Sequence, residues 1–159
     1  MSHEELPRRK RIRLDADAYA ESDAVCSVTI AVKDRQAIFS NPVVAAAAVD
    51  VLLGVANEQS VKVFAYCIMP DHIHLVLSPS GSCDIITFVA RFKNLTQRAA
   101  WKLGVQGAFW QARFWDHFIR RDEGVVRAVQ YVLDNPVRKN LVSRWQDYPL
   151  AGSLVFDLV

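Results

Sequence analysis

The sequence predicts an α+β sandwich: an antiparallel sheet with two helices on one face and a further helix for the other. Three observations lead there. Short apolar runs rich in β-formers alternate with longer stretches of helical periodicity. Two of the strand-like runs, Val61–Met69 and His72–Ser78, are joined by the turn pair Pro70-Asp71 and read as an antiparallel hairpin. The element order is β-α-β-β-α-β-α; two split βαβ units of this kind make a ferredoxin-like sandwich, and the last helix is extra.

Taken in order, residues 1–23 are polar and charged without periodicity and read as a flexible basic arm, with residues 24–159 as a single domain. Val25–Val32 is the first strand. Asn41-Pro42 opens a helix, because Asn caps and Pro fits the first helical position. That helix is expected to run to about Asn57, its alanines allowing close packing on the sheet. A second helix is expected over about Asp84–Leu103, with Ile85, Phe88, Val89, Phe92, Leu95, Ala99 and Leu103 as its buried stripe. Arg91, Arg98 and Lys102 lie off the stripe as a basic edge. Gly104 and Gly107 break the helix, Arg113–Arg120 is strand-like, and a short helix over about Glu123–Asp134 is stopped by Pro136. The tail is expected to pack back through Leu141, Trp145, Tyr148 and Leu154.

Composition narrows the classes. The chain has 159 residues, 52% hydrophobic and 23% charged, which suits a folded domain and excludes a disordered one. No apolar run approaches the roughly 20 residues that span a bilayer, and the N-terminus lacks the apolar core of a secretory signal. Cys26, Cys67 and Cys83 have no paired spacing and sit in or beside apolar runs, as reduced core thiols of a cytoplasmic protein do. Net charge is only +2, but residues 84–144 hold eleven Lys/Arg against five Asp/Glu, while residues 14–83 hold three against eight. A basic second half suits a polyanionic partner, although solvated helix faces produce the same pattern.

The chemistry concentrates around the hairpin. Side chains on a strand alternate, so His72, His74, Val76 and Ser78 share one face while Ile73, Leu75 and Leu77 face the helices. Two imidazoles two residues apart can converge on one cation; alone, the pair is equally compatible with two partly exposed histidines beside a turn. The last helix supplies a second half. At about 100° per residue its apolar side carries Val125, Val126, Val129, Val132 and Leu133, and Tyr131 and Asn135 fall on the opposite side. A surface tyrosine and a helix-end Asn remain the plain alternatives. A tyrosine, an amide oxygen and two imidazoles together would suit attack by Tyr131 on a metal-polarised phosphodiester.

The runs AYCIMPDHIHLVLSP (Ala65–Pro79), FWQARFWDHFIR (Phe109–Arg120) and YVLDNPVRKNLV (Tyr131–Val142), in this order, resemble the REP-associated tyrosine transposases of the HUH-type single-tyrosine superfamily. The resemblance covers about residues 60–153 well, the first strand and helix loosely, and the arm not at all. It implies cleavage and rejoining of single-stranded DNA near hairpins through a 5′-phosphotyrosine. It matches His72 and His74 to the metal pair, Tyr131 to the nucleophile and Asn135 to a third ligand, with Mg2+ or Mn2+ as cofactor. Where the family often has Asn before the first histidine this chain has Asp71; the NPVR stretch is followed by Lys139-Asn140; the late segment reads Tyr148-Pro149-Leu150-Ala151-Gly152-Ser153. None of these departures is expected to touch the chemistry.

DNA contacts are expected from Arg91, Arg98, Lys102, Arg113, Arg120, Arg121 and Arg138, with Trp110, Phe114, Trp115 and Phe118 either stacking on bases or forming a core edge. Asp116-His117 could support the site or only hold its strand. The expected partner is single-stranded or hairpin DNA, with no membrane, for a monomer or homodimer. The competing reading is a domesticated nucleic-acid-binding module without turnover.

Overall fold

The computed structural model describes residues 24–119 and 124–157; the basic arm of residues 1–23 and Arg120 and Arg121 lie outside them. The strands are β1 (Val25–Ala31), β2 (Lys62–Ile68), β3 (His72–Ser78), β4 (Trp115–Ile119) and β5 (Ala151–Gly152). The helices are α1 (Pro42–Gln59), α2 (Ile85–Lys102), α3 (Val125–Leu133) and α4 (Asn135–Arg138). The sheet order is β4-β1-β3-β2-β5 and every pairing is antiparallel. The fold class is the expected one, with α4 and the two-residue edge strand β5 as additions.

Local chemistry sets the helix ends. The Asn41 side chain accepts from Val43 N at 3.0 Å with Pro42 at the first turn, and Asp84 accepts from Thr87 N at 2.6 Å. Each satisfies a backbone donor that the helix cannot pair itself. Ser60 ends α1 with φ 54°, in the left-handed region.

Two cores sit on opposite faces of the sheet. The larger holds Ile73, Leu75 and Leu77 of β3, Val28 and Ile30 of β1, and Phe88 and Phe92 of α2. Helix α1 has the length and mean hydropathy of a membrane span, 1.2 over 18 residues, but its Val44, Ala45, Ala48, Leu52 and Val55 are buried in this core. The smaller core lies on the other face: Val25, Ala65, Cys67, Met69 and Val76 against Val129, Val132 and Leu133 of α3. A register shift in the β2–β3 ladder between Val63 and Ala65 lets β2 contribute to both cores. With unbroken alternation Val63 would share a face with Ala65 and Cys67; instead it joins the larger core and they line the smaller one. Trp145, Tyr148 and Leu154 of the tail do pack back on the body, while Leu141 stays 47% exposed.

The aromatic stretch after α2 is pinned by side chains. Gln97 donates to Gly107 O and accepts from Phe109 N, both at 2.9 Å, and Trp110 Nε1 donates to Lys93 O at 3.0 Å. Phe109 and Phe114 are buried, and Trp110 stacks near Phe39 with centroids 5.6 Å apart.

Candidate active site and nucleic-acid interface

His72 and His74 stand on the face that α3 covers in part. Cross-strand pairing sets Ala31 beside His72, and Thr29 and Cys67 on either side of His74. The rings meet edge to face, centroids 4.6 Å apart, with their Nε2 atoms 2.9 Å from each other. Each outer nitrogen has its own partner: His72 Nδ1 lies 2.5 Å from Asp71 Oδ1, and His74 Nδ1 lies 3.0 Å from Thr29 Oγ1. Asp71 is therefore in contact with the site, contrary to the expectation from sequence. Successive strand side chains diverge, but Asp71 ends the turn and not the strand, so its carboxylate can reach the next residue's ring. Arg35 Nη1 lies 3.8 Å from Asp71 Oδ2.

Burial pushes the His74 imidazole down to about 3, helped by the positive charges of His72, Arg138, Arg35 and Lys139. Burial also lowers His72, against the opposing pull of Asp71. Both rings are thus neutral at physiological pH, the form that binds a cation. Two donors at right angles, each about 2.0–2.1 Å from one cation, stand about 3 Å apart, so the observed Nε2 spacing fits. Among the described residues no group of three or more His, Cys, Asp or Glu could hold a metal ion, so a further ligand from among them would be of another kind. Asn135 is 5% exposed and its side-chain Nδ2 is buried without a hydrogen-bond partner. An amide's oxygen and nitrogen exchange places on a half-turn, so an oxygen can occupy that unpartnered position.

Three tyrosines lie among the described residues, and their surroundings separate them. Tyr66 packs its ring where a Cβ on Gly152 would come within 3.0 Å of its hydroxyl, and burial raises its pKa. Tyr148 donates to Ile68 O at 2.5 Å, and burial pushes it up to about 12. Tyr131 is 53% exposed. Arg138 folds back over it: the guanidinium carbon is 3.8 Å from the ring centroid and Nη2 donates to Tyr131 O at 2.7 Å. The positive charge of the same guanidinium is among the causes that lower His74.

Tyr131 and Asn135 do not share one continuous helix. Helix α3 ends at Leu133, Asp134 intervenes, and Asn135 begins α4 with Pro136 in its first turn. Pro136 has no N–H to continue the ladder, while Asp134 between the two helices keeps helical backbone angles (φ −80°, ψ −3°); Asn135 is buried and Tyr131 is exposed.

The basic residues divide between two surfaces. Arg91, Arg98 and Lys102 are exposed on α2, the helical layer opposite the histidine face, and Arg91 Nη2 pairs with Glu58 at 2.8 Å. Arg113 is exposed beside an open cavity of about 330 Å³ formed with Gln111, Ala112, Phe114 and Trp115. Trp115 pairs with Thr29, which puts it in the His74 row of the same face. His117 is exposed on β4, separated from the pair by β1. Sequence reasoning missed Thr29 and Arg35 as neighbours of the site: the β1–β3 register brings Thr29 to His74, and the turn after β1 brings Arg35 to Asp71.

A family model described as "Transposase IS200 like" matches residues 22–126, ending just before Tyr131. A REP-associated tyrosine transposase of Escherichia coli strain K12 is 27% identical over 101 residues, covering 63% of this chain and 59% of that protein. A Haemophilus influenzae protein provisionally given the same name is 32% identical over 99 residues, covering 55% and 56%. The matched stretch thus spans under three-fifths of either relative. Among solved structures, that of a REP-associated tyrosine transposase bound to a REP hairpin superposes with a TM-score of 0.72 at 22% identity, covering 89% of this chain and 81% of that one. A provisionally named transposase of Deinococcus radiodurans gives 0.53, also at 22% identity, covering 70% and 88%. At this identity the two structures speak for the fold.

Proposed function

Because the chain belongs to the IS200-like transposase family, we propose that it cleaves and rejoins single-stranded DNA at hairpin sequences, with Tyr131 as nucleophile. The observation that carries this reading is the pairing of two neutral imidazoles, Nε2 atoms 2.9 Å apart, with an exposed tyrosine on the helix packed against the same sheet face. Named relatives of the REP-associated type, one of them bound to a REP hairpin, support hairpin DNA as the substrate class.

In this reading the Tyr131 hydroxyl attacks a phosphodiester phosphorus. The P–O3′ bond breaks, the 3′ oxygen takes up a proton, and a 5′-phosphotyrosine remains. Attack on that ester by a 3′-OH reverses the step and rejoins strands. Arg138, already over the Tyr131 ring, would hold the ring's direction and meet the phosphate charge. His72 and His74, with Asn135 as candidate third ligand, would hold Mg2+ or Mn2+. Such an ion, when bound, neutralises phosphate charge and favours the phenolate.

The test is a covalent trap. Purified protein is incubated with single-stranded hairpin DNA and Mn2+ and then run in SDS. The wild type is expected to give an SDS-resistant adduct, and Tyr131→Phe none, with unchanged hairpin affinity. An adduct that persists in Tyr131→Phe refutes the assignment; hairpin binding by the wild type with no adduct would leave a binding module without turnover.

A further inference from the structure

Four groups form a line across the site: Thr29 Oγ1, His74, His72 and Asp71, joined by contacts of 3.0, 2.9 and 2.5 Å. Their donor and acceptor roles follow from one end. An ionised carboxylate only accepts, so His72 Nδ1 carries a proton toward Asp71 and the neutral ring's Nε2 is bare. Two ring nitrogens 2.9 Å apart need one proton between them, and His74 Nε2 must supply it. The His74 Nδ1 is then bare, and the Thr29 hydroxyl donates to it. Asp71 is itself held: its carbonyl accepts from Val32 N at 2.9 Å and its carboxylate faces Arg35.

This arrangement cannot hold a cation between the two Nε2 atoms, because one of them carries hydrogen. We propose that Thr29 is a positioning residue that lets His74 exchange tautomers as a divalent cation enters, while Asp71 keeps His72 fixed. On binding, the proton on His74 Nε2 leaves to solvent and one is taken up at Nδ1, so the ring's charge is unchanged. The Thr29 hydroxyl then turns from donor to acceptor. A hydroxyl can play both parts where a carboxylate, an ammonium or a methyl group cannot. The half-buried His74 ring therefore keeps a partner in both states, which avoids an unpaired polar group. The exchange rests on the metal reading above; the metal-free order of protons does not.

The experiment uses the full chain with 15N-labelled histidine at about pH 8, above the ordinary imidazole pKa of about 6.5. Long-range 15N–1H spectra, assigned with His→Gln variants, report each tautomer without reference to activity. Metal-free wild type is expected to show His72 protonated at Nδ1 and His74 at Nε2. With Mg2+, His74 moves to Nδ1 and His72 stays. Thr29→Val should weaken Mg2+ binding by about 10-fold or more, the usual scale for loss of a ligand's supporting hydrogen bond, and Thr29→Ser should restore it. Asp71→Ala should leave His72 a mixture of tautomers. His74 found protonated at Nδ1 in the metal-free chain, or Mg2+ affinity unchanged in Thr29→Val, overturns the exchange alone. No uptake of Mg2+ or Mn2+ by the wild type overturns the metal reading and the exchange with it. Should Thr29→Val not fold, the wild-type spectra decide.

Discussion

Leu133→Ala tests whether α3 is held as a unit separate from the main core. Leu133 is 2% exposed and belongs to the smaller cluster, with Val129 and Val132 beside it on the helix and Met69 and Val76 on the sheet. Truncation removes three carbons, worth about 0.8 kcal/mol each, or roughly 2.4 kcal/mol. A cavity would add to this, but Trp145 and Tyr148 at the cluster's margin are only partly buried and can close on it. The total should therefore stay near the low end for such changes, about 2–3 kcal/mol. At about 1.4 kcal/mol per factor of ten, the population with α3 detached rises roughly 30- to 140-fold. Native-state hydrogen exchange reads this directly. Amides of α3 should lose protection by that factor, while those of β1 and β3, held by the other core, change little. Leu75→Ala, on the opposite face of β3, should lower protection everywhere. If Leu133→Ala weakens β1, β3 and α3 equally, the two clusters are one cooperative unit and this reasoning fails.

Three further outcomes are expected. His72 and His74 are both lowered by folding, so the folded chain binds fewer protons than the unfolded one. Their stabilising contribution is complete above about pH 6.5 and is lost as pH falls toward 3; a His72→Gln/His74→Gln variant should show a flatter fall of Tm over that range. Hairpin affinity should decline with salt, and Arg138→Ala should reduce the log–log slope by about 0.7, the single-strand value per phosphate contact. Arg91→Ala should leave the slope alone, since Glu58 already pairs that guanidinium; the reverse result would move the DNA to the helical layer. If Asn135 is a ligand, Asn135→Ala should raise the Mn2+ concentration needed for adduct formation and Asn135→Asp should keep much of the activity. Identical metal midpoints for wild type and Asn135→Ala would exclude it.

Periodicity and punctuation were enough to read much of this molecule from its sequence. The turn pair Pro70-Asp71 and the alternation of His72–Ser78 are local properties, so the hairpin and the shared face of the two histidines were legible. So were the cap at Asn41 and most of the stripe on α2, because helical spacing is set within a few residues; Leu103, expected in the stripe, lies past the end of the helix and is 44% exposed. The three ordered motifs carried the family. The rest depended on partners distant in sequence. Thr29 lies 45 positions from His74 and meets it only through the β1–β3 register. The register shift near Phe64, which turns Ala65 and Cys67 toward the site, leaves no periodic mark because it is itself a break in the period. Tyr131 could be placed opposite the apolar side of its helix, but the stacking of the Arg138 guanidinium on its ring is a side-chain placement that the local pattern does not set. The burial of Asn135, four residues after an exposed tyrosine, was likewise decided by what packs around it and not by the local pattern.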